Sequence, residues 1–145
     1  MTKYTLLTVI LAVLPAGAAA DEAKADQDAM QGKWVIASFT RDGQQQPKDT
    51  YQNLELLIKG DKYIVTQDGE AASRTFKLDP LKNPKAMDVT YDAGPNKGKT
   101  NRAIYAIEGD TLKICRQVHP ELERPKEFSA DAGSARALIT WKRVK

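Results

Sequence analysis

Cys115 and His119 are the only cysteine and the only histidine in the chain, and they stand four residues apart. Side chains of these types make thiol–imidazole pairs or contribute to zinc sites. A structural zinc site wants four ligands, usually several Cys or His at characteristic spacing. A thiol–imidazole pair needs a third group to orient its base. Neither complement is visible, so no metal is expected and His119 reads as a solvated loop residue. Cys115 alternates with Lys113 on the strand face opposite Leu112 and Ile114, and reads as a small packed hydrophobe.

Carboxylates are plentiful: Asp79, Asp88, Asp92, Glu108, Asp110, Glu121, Glu123 and Glu127. Two of them at the right separation would do the acid–base work of a glycosidase. Most, however, adjoin Gly or Pro or fall on outward strand positions, where solubility explains them. No nucleophile elbow, P-loop or dinucleotide fingerprint occurs. No catalytic residue is assigned, and the expectation is a non-enzyme without a cofactor. Arg124, in Glu123-Arg124-Pro125, is the exception among charged residues. Proline fixes the backbone beside it, and an arginine so held at a barrel mouth can clamp a carboxylate or phosphate. The other reading is an ion pair with Glu127 or Asp79 that orders the loop.

The elements that must position these residues are short strands at regular spacing. Trp34 to Arg41 alternates and ends at Asp42-Gly43, a hairpin dipeptide, and Asp68-Gly69 is a second. Pro47 opens a short helix in an otherwise irregular Gln44 to Asn53. Apolar alternation then marks strands at Leu54 to Lys59, around Tyr63 and Val65, at Ser73 to Leu78, and through Met87, Val89 and Tyr91. Further strands follow through Ala103, Tyr105 and Ile107, and at Thr111 to Arg116, Glu127 to Ala130 and Ala137 to Val144. With no crossover helix between them, consecutive strands pair antiparallel, and a sheet of this size closes rather than leaving edges. The fold class is all-β: a single up-and-down antiparallel barrel of eight strands, or nine if one bends.

Gly32-Lys33-Trp34 on the first strand and Arg143 on the last read as a structural clasp. A guanidinium stacked over the indole supplies cation–π attraction and covers one barrel end. Leu56, Ile58, Tyr63, Phe76, Met87, Tyr91 and Tyr105 are expected to point inward as ligand-binding residues, with Arg124 at the mouth. Loops at Pro47 to Asn53, Asp79 to Pro84 and His119 to Pro125 would gate that mouth.

The N-terminus carries Lys3, an apolar Thr5 to Leu14 and a small-residue Ala18-x-Ala20. That pattern is a secretory signal peptide, and its apolar run falls short of the roughly 20 residues a spanning helix needs. The expected organisation is a signal peptide over 1–20, a polar leader over 21–31 that is a helix or a tail, and a barrel over 32–145. The mature chain would carry no membrane span and be exported, either periplasmic or secreted. Loss of Lys3 takes the net charge from +3 to +2, and the basic residues form no stripe of the kind that binds nucleic acid. With one cysteine there is no internal disulfide, so the core alone must hold the fold. A monomer is expected.

With these strands placed, Gly32-x-Trp34 and Arg143 resemble the lipocalin signature, although the family's middle TDY-like turn is not matched. A wider resemblance covers nearly the whole mature chain, to an uncharacterised lipocalin-like exported domain family expanded in planctomycete bacteria. It is carried by Met30-Gln31-Gly32-Lys33-Trp34, Gly60-Asp61-Lys62-Tyr63 and Phe76-Lys77-Leu78-Asp79-Pro80. Gly94 to Lys99, Ile104 to Leu112, Arg124 to Phe128 and Lys142-Arg143-Val144 complete it. The resemblance implies a barrel outside the cytoplasm and no reaction. The resulting expectation is an exported binding protein for a small apolar or amphipathic ligand. The alternative is a protein-interaction module, such as an extracytoplasmic inhibitor of a protease or lysozyme.

Overall fold

A computed structural model describes residues 16–145; Lys3 and the apolar Thr5 to Leu14 lie outside the described residues. The element order is α1 (Ala16–Met30), β1 (Gly32–Arg41), β2 (Gln44–Gln45), α2 (Lys48–Tyr51), β3 (Leu54–Lys59), β4 (Lys62–Gln67) and β5 (Glu70–Asp79). Then come β6 (Ala86–Tyr91), β7 (Thr100–Glu108), β8 (Thr111–Gln117) and β9 (Arg136–Arg143). Strands β3 to β9 follow one another as antiparallel neighbours, and β1 pairs with both β3 and β9. The result is a closed up-and-down barrel of eight strands with β2 as one extra strand. No helix among the described residues is long and apolar enough to cross a membrane.

The ninth strand is not where the sequence put it. Residues 127–130 carry no ladder, and the extra strand is β2, a hairpin partner to the end of β1. Asp42 and Gly43 turn that hairpin with φ of 47° and 81°, the left-handed pair that matches strand twist. A side chain at Gly43 would also meet the Ala132 backbone at 2.7 Å, so the 118–135 loop needs glycine there to dock.

Alternation along β1 is broken once. Its register against β9 shifts between Ile36 and Ser38, a bulge that leaves Ala37 unpaired. Trp34 and Ile36 face inward before the bulge, and Phe39 faces inward after it.

The barrel has unlike ends. At the base, α1 packs across the opening and Met30, Trp34, Ile58, Tyr105, Leu112 and Trp141 are buried to 2% exposure or less. The leader is therefore a docked helix. Alanine-rich composition favours helix, and Asp26 fastens it by accepting from the Tyr105 hydroxyl at 2.7 Å and from Lys85 Nζ at 2.9 Å. Helix α1 is continuous through Ala18–Ala20. The 80–85 connection lies on this side too, with Lys85 against α1, so the Asp79 to Pro84 loop does not gate the mouth. At the opposite end stand the β1–β2 hairpin, α2, and the β4–β5, β6–β7 and β8–β9 connections.

Candidate functional site

Helix termini leave their last carbonyls without intrahelical partners, and at the end of α1 the clasp residues supply them. Trp34 Nε1 donates to Met30 O at 2.9 Å. Arg143 donates to Gln31 O and Ala29 O, both at 2.6 Å. Its guanidinium lies 4.3 Å from the Trp34 ring centroid and pairs with Asp110 at 3.0 Å. A cation at a helix C-terminus is also favoured by the dipole. Gly32, at φ 120°, brings the chain round this cluster with the Arg143 guanidinium 3.4 Å from where its Cβ would stand. Lys145 and Arg143 hold the Asp110 carboxyl below its ordinary range. Every charge here has a partner.

The mouth differs. Arg74 of β5 and Arg116 of β8 point into the barrel one inward position beyond Phe76 and Ile114 and, with Tyr63 of β4, form a shared wall between two chambers. The smaller is about 20 Å³ and is bounded further by Val89, Tyr91, Asn101 and Ala103, room for about one water. The larger is about 210 Å³ and is bounded by Gln67, Trp141 and a mostly apolar arc of β1, β3 and β9. Among the described residues, neither arginine has a carboxylate within ion-pair distance. Arg74 stacks 4.6 Å over the Tyr91 ring, and Arg116 donates to Gln117 O at 3.1 Å.

Three polar atoms along these walls are buried without a partner: Arg74 Nε, Trp141 Nε1 and Asn101 Oδ1. Asn101 is 3% exposed and Trp141 2%. Buried polar groups are nearly always paired, and an orphan calls for an explanation. Burial pushes the Arg116 guanidinium down from its ordinary value, and the like charges of Arg74 and Arg41 add to the effect, against a counteracting pull from Tyr63 and Tyr91. Burial likewise pushes the Tyr63 hydroxyl up. Arginine stays cationic regardless, so these are two desolvated positive charges without a counter-ion. An anion entering the larger chamber would relieve both.

The residues expected to bind ligand are distributed differently. Tyr63 and Tyr91 line the chambers. Leu56, Ile58, Phe76, Met87 and Tyr105 are packed against one another in the core and leave no space for a ligand. Arg124 is on the outer wall, where the 118–135 loop folds back over β6 and β7. It donates to Met87 O at 3.1 Å and Ala103 O at 2.7 Å and pairs with Asp88 at 2.5 Å, not with Glu127 or Asp79. It orders the loop. The same loop covers Cys115, whose thiol donates to Ser129 O at 3.3 Å and is pushed up by burial. His119 is exposed on that loop. Among the described residues no group of three or more His, Cys, Asp or Glu is arranged to hold a metal ion.

Arg74, Arg116, Asn101, Gln67 and Trp141 were missed as site residues. The signal was present: each follows the inward alternation of its strand, and the first four put a polar group where that alternation calls for an apolar one.

No family model matches the chain, and no solved structure matches it. One curated protein does in part: the dihydroorotate dehydrogenase B (NAD(+)), electron transfer subunit of Listeria monocytogenes serotype 4a (strain HCC23). It is 36% identical over 67 residues, 46% of this chain and 26% of that protein. The match thus spans about a quarter of the relative's length. A likeness to an electron-transfer subunit overturns the expectation of a lipocalin-like binder for an apolar or amphipathic ligand, and it gives no support to the inhibitor alternative. The mouth agrees with the correction, since an apolar occupant would leave two desolvated guanidiniums uncompensated.

Proposed function

We propose that this chain has a redox-related role, as an accessory barrel that holds an anionic group of a redox-active molecule at its mouth. The observation that carries it is the Arg74–Arg116 wall, two inward cations with no carboxylate partner among the described residues. The partial likeness to an electron-transfer subunit supports the redox setting. The role is binding rather than turnover, since Cys115 is buried under a loop and His119 stands outside the chambers. An iron–sulfur cluster held by four thiolates would not be built from this sequence, which has one cysteine.

A cationic pocket favours the more negative member of a redox couple, so binding would shift that couple's midpoint potential. The test is equilibrium dialysis of the full chain against redox couples that carry a phosphate or carboxylate, beside an Arg74→Gln, Arg116→Gln double variant. Retention of a couple by the parent and its loss in the variant is the expected result. If the parent retains none, the reading fails. Export is proposed separately on the strength of Lys3, Thr5 to Leu14 and Ala18-x-Ala20; sequencing the N-terminus of the natural protein should then find Asp21.

A further inference from the structure

The larger chamber specifies its anion more closely than charge alone does. Its polar groups gather on one side, where Tyr63, Gln67, Arg74, Arg116 and Trp141 stand. The other side is Ile36, Phe39, Leu54, Val65 and Ile139. A phosphate needs donors around three or more oxygens, and here several would face hydrocarbon. A carboxylate needs them on one side only, where planar guanidinium forks match it.

A lone carboxylate would leave donors over, because two guanidiniums, an amide, a hydroxyl and an indole N–H exceed what two oxygens accept. A second oxygen function close to the carboxylate would use them. The space is small. About 210 Å³ lies below the range of about 300–1,000 Å³ usual for drug-sized ligands, so the molecule has only a few carbons.

We infer that the larger chamber takes a compact hydrophilic carboxylate bearing a second oxygen beside it, of the 2-oxo or 2-hydroxy acid class. This rests on the anion-holding reading of the mouth. Arg74 and Arg116 grip the carboxylate, and the unpartnered Trp141 Nε1–H donates to the neighbouring oxygen. Asn101 Oδ1 belongs to the smaller chamber, whose volume suits a water that would donate to it.

The two tryptophans provide a test within one molecule. Trp34 Nε1 is already committed to Met30 O, whereas Trp141 Nε1 is not. The full chain, labelled with 15N, is titrated at constant ionic strength with pyruvate, L-malate and inorganic phosphate while both indole N–H resonances are followed. Pyruvate or malate should move the Trp141 signal saturably and leave Trp34 in place, and phosphate should move neither. Arg116→Gln should weaken the response at least tenfold, with the dispersion of the amide spectrum reporting that the variant is folded. Arg116→Lys, which keeps charge and loses the fork, should restore it only in part.

If phosphate alone moves Trp141, the carboxylate assignment is overturned and the anionic mouth stands. Equal responses to all three anions, or an acid response unchanged in Arg116→Gln, also overturn it. If none of the anions moves Trp141, both readings fall together.

Discussion

Arg143 at the base and Arg116 at the mouth sit at opposite ends of neighbouring strands, and their surroundings are opposite as well. Arg143 stacks on Trp34, pairs with Asp110 and caps α1 through two carbonyls. Arg116 meets one carbonyl, two tyrosines and the like charge of Arg74. One cation closes the structure and the other strains it. The difference separates the half of the barrel that folds the chain from the half held ready for something else.

Four measurements would break or sharpen that contrast. The largest effect is expected from Trp34→Ala, which empties a site of 0% exposure and should cost about 4 kcal/mol, the usual range for a buried aromatic. Urea unfolding would read it as a lower midpoint. Arg143→Met should cost about 3 kcal/mol by the same method, since it leaves the α1 carbonyls and Asp110 unsatisfied, the exposed side of that ion pair counting for little. An equal cost for Arg116→Met would collapse the comparison. The expected result there is opposite in sign: a gain of about 1 kcal/mol, because an apolar side chain of similar length removes an uncompensated buried charge.

The smallest effect is one of pH. Asp110 has its carboxyl held down by Lys145 and Arg143, so its stabilisation is complete above the unfolded value of 3.8 and is lost as the pH falls through the lower folded value. Asp92, held down by Thr75, Ser73 and Lys62, behaves alike. Thermal unfolding followed from pH 5 downward should show a falling midpoint. Asp110→Asn should flatten the base's share of that fall and leave the share of Asp92.

Much of the base was legible in the sequence. Gly32, Trp34 and Arg143 are distinctive types at the two ends of a strand series, and a stacked clasp needs no other information. The Asp42-Gly43 and Asp68-Gly69 turns declared themselves because few residues take a left-handed φ. The role of the leader did not, since an alanine-rich helix of weak amphipathicity acquires its place only from Asp26 meeting Tyr105 and Lys85, partners far along the chain. Arg124 was misplaced for a similar reason. Its proline neighbour fixes the local backbone but says nothing of a loop that folds back along the outer wall.

The mouth was legible in principle and overlooked because polar residues on a strand are usually taken as solvent-facing. Arg74, Asn101, Arg116 and Gln67 each stand two residues from an inward apolar neighbour. In an antiparallel series all four fall at the same end, so their coincidence carried the information that no single strand could.

Ala37 gives the mouth an independence of another kind. The bulge there changes the parity of β1: even-numbered residues face inward below it, and Phe39 faces inward above it. One residue therefore acts as a frame-shift in three dimensions. Loss of that residue would turn the upper half of β1 inside out, withdrawing Phe39 from the chamber and exchanging Ser38 for it, while Trp34 kept its place. Such a barrel can change what its mouth accepts by a single-codon deletion, with its foundation left in register.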